Sequence, residues 1–402
     1  MVHLGLWRGK SLTLSLKPNC ITISLESNEV YSYDLAGRLW TGLKEDVSYR
    51  RGLDGKIIAK WMLPSGERNR RWLSPAEAGQ LIVHAAQFIE VLVKAAESGE
   101  LAFTPQITSA GLHALTAAAH FTAGQAALDA AAFRKVYMPV GILPPDQYMA
   151  LVLQATEGCS FNACTFCDFY RDRPFRIKSA EELHSHIQAV TAYLGEGFSL
   201  RRTVFLGDAN ALVTPMRKLI PQLKVVNQAV DVQKLGGIFA FLDGFSGEKK
   251  HAADYAELKA QGLERIYIGM ESGSPQLLSY LNKPGRPEDV LHAVQAIKAG
   301  GVAVGIICLL GAGGQQYAQD HVRDTISLIN AMPLDLDDII YFSELVENEN
   351  LPYVQSAYQN ALVPLSAQER IEQGDAIERN LKFSAEGGTP HISRYDIREF
   401  VY

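Results

Sequence analysis

Residues 148–170 read YMALVLQATEGCSFNACTFCDFY, and this stretch predicts the fold class of the larger part of the chain. Its first third, Tyr148–Ala155, is a continuous apolar run of strand length, which indicates a strand buried on both faces. The remainder is a loop with three cysteines among Gly, Asn and Asp residues. A buried strand that runs directly into such a loop predicts an α/β domain whose site lies at the carboxyl end of its sheet.

The three cysteines, Cys159, Cys164 and Cys167, follow the spacing Cys-x4-Cys-x2-Cys. Three thiolates can hold three irons of a cubane cluster, which leaves the fourth iron open to a small molecule. A closed zinc site needs a fourth ligand, and the nearest candidates, His184 and His186, lie on a predicted helix well past the loop. Three unligated core cysteines are a further alternative, but the polar loop is poor core surroundings. The spacing favours an iron–sulfur cluster, with zinc as the main alternative.

From residue 148 onward, strands and helices alternate. The predicted strands are Tyr148–Ala155, Thr203–Leu206, Gly237–Leu242, Arg265–Gly269, Val302–Leu310 and Asp338–Phe342. The predicted helices are Ala180–Tyr193, Pro215–Gln228, His251–Ala260, Pro287–Ala299 and Tyr317–Asn330. Successive βα units favour a right-handed parallel sheet, and we expect an incomplete (β/α)6 TIM-like barrel. A flat doubly wound sheet is the structural alternative.

The cysteine loop, with Phe166 directly before Cys167, resembles the cluster loop of the radical S-adenosylmethionine (radical SAM) superfamily, in a spacing variant of one branch. The resemblance covers about residues 148–342. It implies an oxygen-sensitive enzyme with a [4Fe–4S] cluster held by the three cysteines and with S-adenosylmethionine bound at the open iron, beside Phe166. It also implies a flavodoxin- or ferredoxin-type electron donor and a 5'-deoxyadenosyl radical that takes hydrogen from the substrate.

Residues after the second strand resemble a family segment for S-adenosylmethionine. Gly207, Asp208, Ala209 and Asn210 stand where the family binds the amino group of the methionine moiety. Glycine lets the backbone approach the ligand closely, and Asp208 would supply a negative charge. By itself, Gly-Asp-Ala-Asn is also a common turn.

The ends of the fourth and fifth strands resemble two further family segments. Glu271 and Ser272 match the residues that reach the ribose and methionine groups, and a carboxylate can accept bonds from two ribose hydroxyls. The alternative is a helix cap, but Ser274 can fill that role independently. Leu309 lies on the strand against which the family places adenine. Asp243, at the end of the third strand, either faces the reaction space or caps a turn.

Further polar residues near the strand ends are candidates for substrate binding: Arg171, Arg173, Arg176, Tyr341, Ser343 and Glu344. The arginines can hold an anionic substrate, or they can pair with Asp168 and Asp172, which we favour. The tail, residues 394–402, is aromatic and charged, and we expect it to fold back over the open side of the barrel. Tyr395 and Tyr402 are candidates for a hydrogen-atom donor.

The chain is predicted to have three segments: an N-terminal α+β region of unassigned role (1–147), the partial barrel (148–345), and a C-terminal helix and tail that pack on the barrel (346–402). Alternating strands in the first 60 residues, such as Ser11–Leu16, predict a small antiparallel sheet. Ser74 and Pro75 open a helix, and a second Ala-rich helix is expected to run to about Arg134.

The amino-acid composition and the net charge limit the classes of function that the chain can have. The 402 residues are 47% hydrophobic and 20% charged, as in ordinary soluble proteins. A net charge of -6 gives no basic field for nucleic acid. We see no signal peptide, and the long uncharged stretches 101–128 and 299–319 do not make good membrane spans. With cysteines clustered rather than spread as a disulfide framework, we expect a cytoplasmic protein.

Other functions compete with a radical enzyme. Only Cys20 and Cys308 remain beyond the cluster loop, which disfavours relatives with a second cluster, and residues 1–147 lack the signature of cobalamin-dependent relatives. A small-molecule substrate is the best remaining expectation, with a porphyrin-type one among the options. The rival classes are a non-catalytic zinc- or cluster-binding interaction module and an ordinary methyltransferase. An interaction module has no need of ligand-type segments at successive strand ends.

Overall fold

The computed structural model describes residues 1–245 and 249–402. Contacts divide the chain into two compact units. Unit 1 comprises residues 1–139, 188–202 and 401–402, and unit 2 comprises residues 140–187 and 203–400. This grouping differs from the three predicted segments, because it assigns residues 140–147 and 346–400 to the same unit as the parallel sheet.

Unit 1 contains an antiparallel sheet of nine strands in the order β8-β7-β6-β5-β4-β3-β2-β1-β9. Strands β1 to β8 are consecutive in the chain, and each one pairs with the next through a short connection. The strands are β1 (Val2–Trp7), β2 (Lys10–Leu16), β3 (Cys20–Leu25), β4 (Glu29–Asp34), β5 (Leu39–Lys44), β6 (Val47–Arg51), β7 (Ile57–Met62), β8 (Arg68–Trp72) and β9 (Phe103–Thr104).

Three helices complete unit 1: α1 (Pro75–Glu97), α2 (Ser109–Ala119) and α3 (Ala123–Val136). Helix α1 begins with a capping box in which the Ser74 hydroxyl accepts from the Glu77 amide. By length and composition α1 is the one helix among the described residues that could cross a membrane. Its apolar stripe, which includes Ile82 and Ile89, packs in one core with Leu12 and Leu14 of the sheet.

The structure corrects two expectations for this region. The sheet is not small, because it extends past residue 60 through β7 and β8 and recruits β9 after α1. The second Ala-rich helix is two helices, since the chain turns at residues 120–122. There Thr122 accepts a hydrogen bond from the Gln125 amide and caps the start of α3.

Unit 2 contains a seven-stranded parallel sheet in the order β10-β13-β14-β15-β16-β17-β18. Its strands are β10 (Ala150–Gln154), β13 (Thr203–Gly207), β14 (Ile238–Leu242), β15 (Leu263–Glu271), β16 (Ala303–Leu310), β17 (Ile339–Glu344) and β18 (His391–Tyr395). A separate pair joins β11 (Thr156–Glu157) to β12 (Arg176–Ile177). The helices between them are α4 (Ala180–Leu194), α5 (Met216–Ala229), α6 (Ala252–Ala260), α7 (Pro275–Tyr280), α8 (Pro287–Ala299), α9 (Gly314–Asn330), α10 (Pro352–Gln359) and α11 (Ala367–Arg379). Residues 188–194 of α4 belong to unit 1.

All six predicted strands are present in this α/β unit, in sequence order. A doubly wound sheet reverses its strand order at a switch point, and the observed order has no such reversal, so this alternative is wrong. The C-terminal region differs from expectation in having two helices and a seventh strand. Strand β18 pairs in parallel with β17, with Tyr341 opposite Ser393, and so the tail extends the edge of the sheet.

Candidate active site

A cavity of about 410 Å³ lies at the carboxyl ends of the strands of unit 2. The loop that connects β11 to β12, here named the cluster loop (residues 158–175), forms one side. The ends of successive strands form the floor, through Asn210, Asp243, Glu271 and Leu309. This is the position in which parallel α/β sheets bind their ligands.

The three cysteines of the cluster loop all line this cavity. Burial raises the pKa of the Cys164 thiol to about 11 and that of Cys167 to about 12. Such thiols stay protonated at neutral pH unless a metal displaces the proton. Within the described residues, no three His, Cys, Asp or Glu side chains gather as the ligands of one metal ion would.

The middle of the cluster loop is held from two sides. The Thr165 amide donates to the Leu281 carbonyl at 3.0 Å. The Asn282 side chain donates to the Ala163 carbonyl at 2.8 Å. Opposite these bonds, the Tyr353 amide donates to the Thr165 carbonyl at 3.1 Å. The backbone on both sides of the middle cysteine is therefore fixed by residues far away in the sequence.

The residues after β13 divide between the cavity and the interior. Ala209 and Asn210 line the cavity, and the Asn210 amide donates to Ser160 at 2.8 Å and to Asp243 at 2.6 Å. Asp208 is only 4% exposed and lies behind the wall, beside the buried Gly207. Burial raises the pKa of the Asp208 carboxyl, against the opposing effect of hydrogen bonds and cations around it.

Glu271 reaches the cavity from the end of β15, with a φ of 61°. Its carboxylate accepts a hydrogen bond from Lys283 at 3.0 Å, and both side chains are largely buried. Burial lowers the pKa of Lys283, but Glu271, Cys164 and Asp243 together outweigh it, so the pKa of this lysine is raised and the ammonium stays charged. Sequence reasoning missed Lys283, which lies in the loop after α7.

Ser272 lies next to Glu271 but faces the interior. It is fully buried, its hydroxyl is 2.7 Å from Nδ1 of His321 on α9, and it accepts from the Ser274 amide at 3.0 Å. Burial lowers the pKa of His321 to about 4, so the imidazole is neutral. The structure therefore separates the two residues of this segment, with the carboxylate in the cavity and the hydroxyl behind it.

The remaining two predicted ligand residues form an apolar wall. Phe166 and Leu309 both line the cavity. Phe166 packs against an apolar cluster that contains Leu309, Leu277 and Tyr353. Because these side chains come from the cluster loop, the sheet and α10, they close the space beside the thiols with apolar surface.

The three arginines after the cysteines are engaged within the protein. Arg173 pairs with Asp172 at 2.9 Å and with Asp208 at 3.2 Å. Arg176 pairs with Glu157, and Arg171 donates to the Cys164 carbonyl at 2.8 Å. Of the pairings expected with Asp168 and Asp172, these bonds include the one between Arg173 and Asp172, whereas Arg171 and Arg176 use other partners.

The C-terminal strand contributes to the wall of the cavity. Tyr395, at the end of β18, lines the cavity together with Ser343 and Glu344 of β17. Its ring packs edge-on against Tyr341 at 5.4 Å. Tyr402 belongs to unit 1 and packs there against Tyr137. Of the two tail tyrosines named from the sequence, Tyr395 is therefore the one in the cavity.

Comparison with known proteins finds a family that matches part of the chain. Residues 153–329 match the radical SAM superfamily. Those residues include the cluster loop and the ends of β13, β14, β15 and β16, but not the cavity residues of β17 and β18. The chain contains a radical SAM domain.

Curated relatives of this radical SAM chain are distant. An uncharacterized methyltransferase of Pyrococcus horikoshii is 25% identical over 204 residues, which cover 49% of this chain and 40% of the relative. The 4'-phospho-dehydrooxetanocin synthase of Priestia megaterium is 23% identical over 215 residues, 48% of this chain and 28% of the relative. The chain thus spans less than half the length of either relative.

Solved structures of radical SAM enzymes are similar at a low level. The cobalamin-dependent enzyme OxsB with aqua-cobalamin bound is 13% identical, with a TM-score of 0.39, over 80% of this chain and 36% of that one. Coproporphyrinogen III oxidase (HemN) of Escherichia coli is 14% identical, with a TM-score of 0.41, over 57% and 50%.

The cofactors that the radical SAM match implies are a [4Fe–4S] cluster and S-adenosylmethionine. The donor set in the cavity fits this pair. Three thiols match the ligands of a cluster that keeps one iron open, and the charged, polar and apolar groups beside them match a zwitterion, a ribose and an adenine.

Proposed function

We propose that the enzyme cleaves S-adenosylmethionine reductively and uses the 5'-deoxyadenosyl group to take hydrogen from a small-molecule substrate. The observation that supports this most is the common cavity. Cys159, Cys164 and Cys167 face the same space as Asn210 and Glu271, which come from two different strand ends.

The residues of the cavity divide into three roles. Cys159, Cys164 and Cys167 hold the cluster, which when bound supplies the electron that breaks a carbon–sulfur bond of S-adenosylmethionine. Asn210 and Ala209 present polar backbone and amide groups beside the thiols. Glu271, oriented by Lys283, accepts hydrogen bonds from the ribose.

Apolar side chains complete the proposal. Leu309 and Phe166 lie against the adenine and keep water from the reacting carbon. Gly207, Asp208 and Ser272 act from behind the wall, where they fix the backbone that carries the ligand-binding groups. Tyr395, Ser343 and Glu344 face the substrate.

Beyond the cavity, we infer that the parallel sheet is curved as an incomplete TIM-like barrel, because helices that follow right-handed crossovers cover only one face of a sheet without a switch point. We keep the three-segment organisation, 1–147, 148–345 and 346–402, as a proposal. The electron donor is a flavodoxin or ferredoxin, the cluster is oxygen-sensitive, and the enzyme acts in the cytoplasm on a substrate that is not a nucleic acid.

The test is anaerobic reconstitution with iron and sulfide, followed by S-adenosylmethionine and dithionite, with 5'-deoxyadenosine and iron measured together. We expect 5'-deoxyadenosine and about four irons per chain. A triple variant, Cys159→Ala, Cys164→Ala and Cys167→Ala, should lose both. Cys20→Ala, which removes a buried thiol of unit 1, is the matched control and should retain both.

The alternative is a non-catalytic zinc- or cluster-binding interaction module. It predicts a colourless protein with one zinc, or a stable cluster that yields no 5'-deoxyadenosine under the same conditions. Either result would exclude the radical mechanism.

A further inference from the structure

The two ends of the cluster loop meet in a short double-stranded segment, which we name the neck (residues 156–158 and 173–177). Strands β11 and β12 pair here in antiparallel fashion, with Glu157 opposite Arg176. The Arg176 guanidinium donates to both carboxylate oxygens of Glu157, at 3.0 and 3.1 Å. The neck therefore joins the chain before the first cysteine to the chain after the last one.

At the top of the neck the two backbones touch. Gly158 has a φ of 77°, and a Cβ at this position would come within 2.9 Å of the Pro174 carbonyl oxygen. A side chain would push the two ends of the loop apart, so this glycine permits the neck to close. Cys159 follows immediately, so its position depends on this closure.

One buried carboxylate joins both sides of the neck to the sheet. Asp208 accepts from the Gly158 amide at 3.0 Å and from the Gln154 side chain at 2.8 Å. It also pairs with Arg173 at 3.2 Å, and the side chains of this pair are only 2% and 3% exposed. Asp208 is thus bonded to the start of the loop, to its end and to strand β10.

Burial makes the loss of either partner of the Asp208–Arg173 pair costly. A buried ion pair costs desolvation energy, and removing one partner leaves an uncompensated charge in the interior. Arg173 has a second partner, Asp172, but that carboxylate is 47% exposed, and an exposed ion pair contributes little. Of the two carboxylates that hold Arg173, Asp208 is therefore the one whose loss should open the neck.

We propose that Asp208 is a positioning residue for the iron–sulfur cluster, which closes the neck so that Cys159 and Cys167, near the two ends of the loop, reach the same cluster. This role differs from the one that the sequence resemblance implied, namely binding of the amino group of S-adenosylmethionine. This inference rests on one part of the proposed function, namely that the three cysteines hold a cluster.

The test compares Asp208→Asn with Asp172→Asn in the reconstituted holoprotein. Partners of metal ligands typically change metal affinity 10- to 100-fold when they are mutated. We therefore expect Asp208→Asn to release iron to a ferrous chelator roughly 10 to 100 times faster than the wild type, and to broaden the EPR signal of the reduced cluster. Asp172→Asn removes the exposed partner of the same arginine and should release iron at the wild-type rate.

Arg173→Lys provides a second measurement if Asp208→Asn does not assemble a cluster. It keeps the charge but loses the forked geometry, and its release rate should lie between those of the wild type and Asp208→Asn. If Asp208→Asn releases iron at the wild-type rate, the proposal is overturned. If Asp208→Asn holds no cluster, iron release at the wild-type rate from Arg173→Lys overturns it instead. So would a variant that keeps its iron but needs more S-adenosylmethionine to perturb the EPR signal, since that is the behaviour of an amino-group ligand. A wild-type protein that assembles no cluster would refute the proposed function instead.

Discussion

A buried ion pair fixes the carboxylate that we assign to the ribose. Lys283 pairs with Glu271 at 3.0 Å, and both side chains are about nine-tenths buried. Glu271→Gln keeps the shape, removes the charge and leaves the ammonium with a neutral acceptor. A hydrogen bond to a charged group contributes about 1.5–3 kcal/mol and a neutral one about 0.5–1.5 kcal/mol, so weaker bonds to the ribose should raise the Kd for S-adenosylmethionine about tenfold. Isothermal titration of the holoprotein measures it.

Glu264→Gln is the matched control for this change. Glu264 lies on the same strand, but its carboxylate is 42% exposed and pairs with Lys259 at the surface. Its substitution should leave the affinity unchanged. If both variants bind S-adenosylmethionine as the wild type does, Glu271 does not contact the ligand.

The buried imidazole of His321 gives the stability a pH dependence. Its pKa is about 4 in the folded protein against 6.5 for an ordinary histidine. Between these values the unfolded chain binds a proton that the folded one does not, so stability falls as the pH drops. His321→Gln keeps a polar partner for Ser272 and removes the titration. The loss of unfolding free energy between pH 7 and pH 5 should be smaller by about 2 kcal/mol in this variant.

Denaturant unfolding of the cluster-free protein at the two pH values checks this prediction. His113→Gln, at an exposed position in unit 1, serves as control. An equal loss in the wild type and in His321→Gln would show that the imidazole does not stay neutral in the folded state.

At the level of single residues, the sequence revealed chemistry better than orientation. The cysteines and Glu271 were found because their types and spacing identify them, and the structure places them in one cavity. Lys283 was missed, and Asp208 and Ser272 were placed on the ligand side. Their partners, Arg173 and His321, lie tens of residues away in the sequence, and no local pattern reports such a contact.

At the level of elements, the predictable strands are those with a continuous apolar run. All six were found because burial on both faces leaves a clear signal. Strand β18, with the sequence HISRY, was missed because an edge strand is half exposed and polar. For the same reason the polar edge strand β8, RNRRW, was not predicted as part of the sheet of unit 1.

Contact between β15 and α9 depends on a residue without a side chain. A Cβ on Gly273 would come within 2.3 Å of the Asp324 carbonyl oxygen. Gly273→Ala should therefore push α9 away from the strand and destabilise unit 2 by about 1–3 kcal/mol, the usual cost of overpacking. Calorimetry of the cluster-free protein measures this effect.

Gly79→Ala is the control for that substitution. Gly79 lies inside α1, with no heavy atom within 4 Å of its Cβ position. Alanine is the better helix former by about 1 kcal/mol, so this change should be neutral or stabilising. Equal melting temperatures for Gly273→Ala and the wild type would mean that α9 can move without cost.

At the level of the whole molecule, we expect ligand binding to stabilise one of the two units and not the other. Among the residues that the structure describes, all those that line the cavity belong to unit 2. A ligand that binds only the folded state stabilises it by about 2.7 kcal/mol at 100 times its Kd. We therefore expect S-adenosylmethionine to slow amide hydrogen exchange in the holoprotein at the cluster loop and at residues 207–210, 269–272 and 309–311.

In the same experiment, the sheet of unit 1 should exchange at an unchanged rate, since its strands hold none of the cavity residues. The variant without the three cluster cysteines tests whether the effect depends on the cluster, and it should show no protection at the strand ends. Protection confined to β1–β8 would place the ligand in the other unit and contradict the site. Protection at both the cluster loop and the strand ends would mean that the loop and the sheet form one binding surface, although they lie far apart in the sequence.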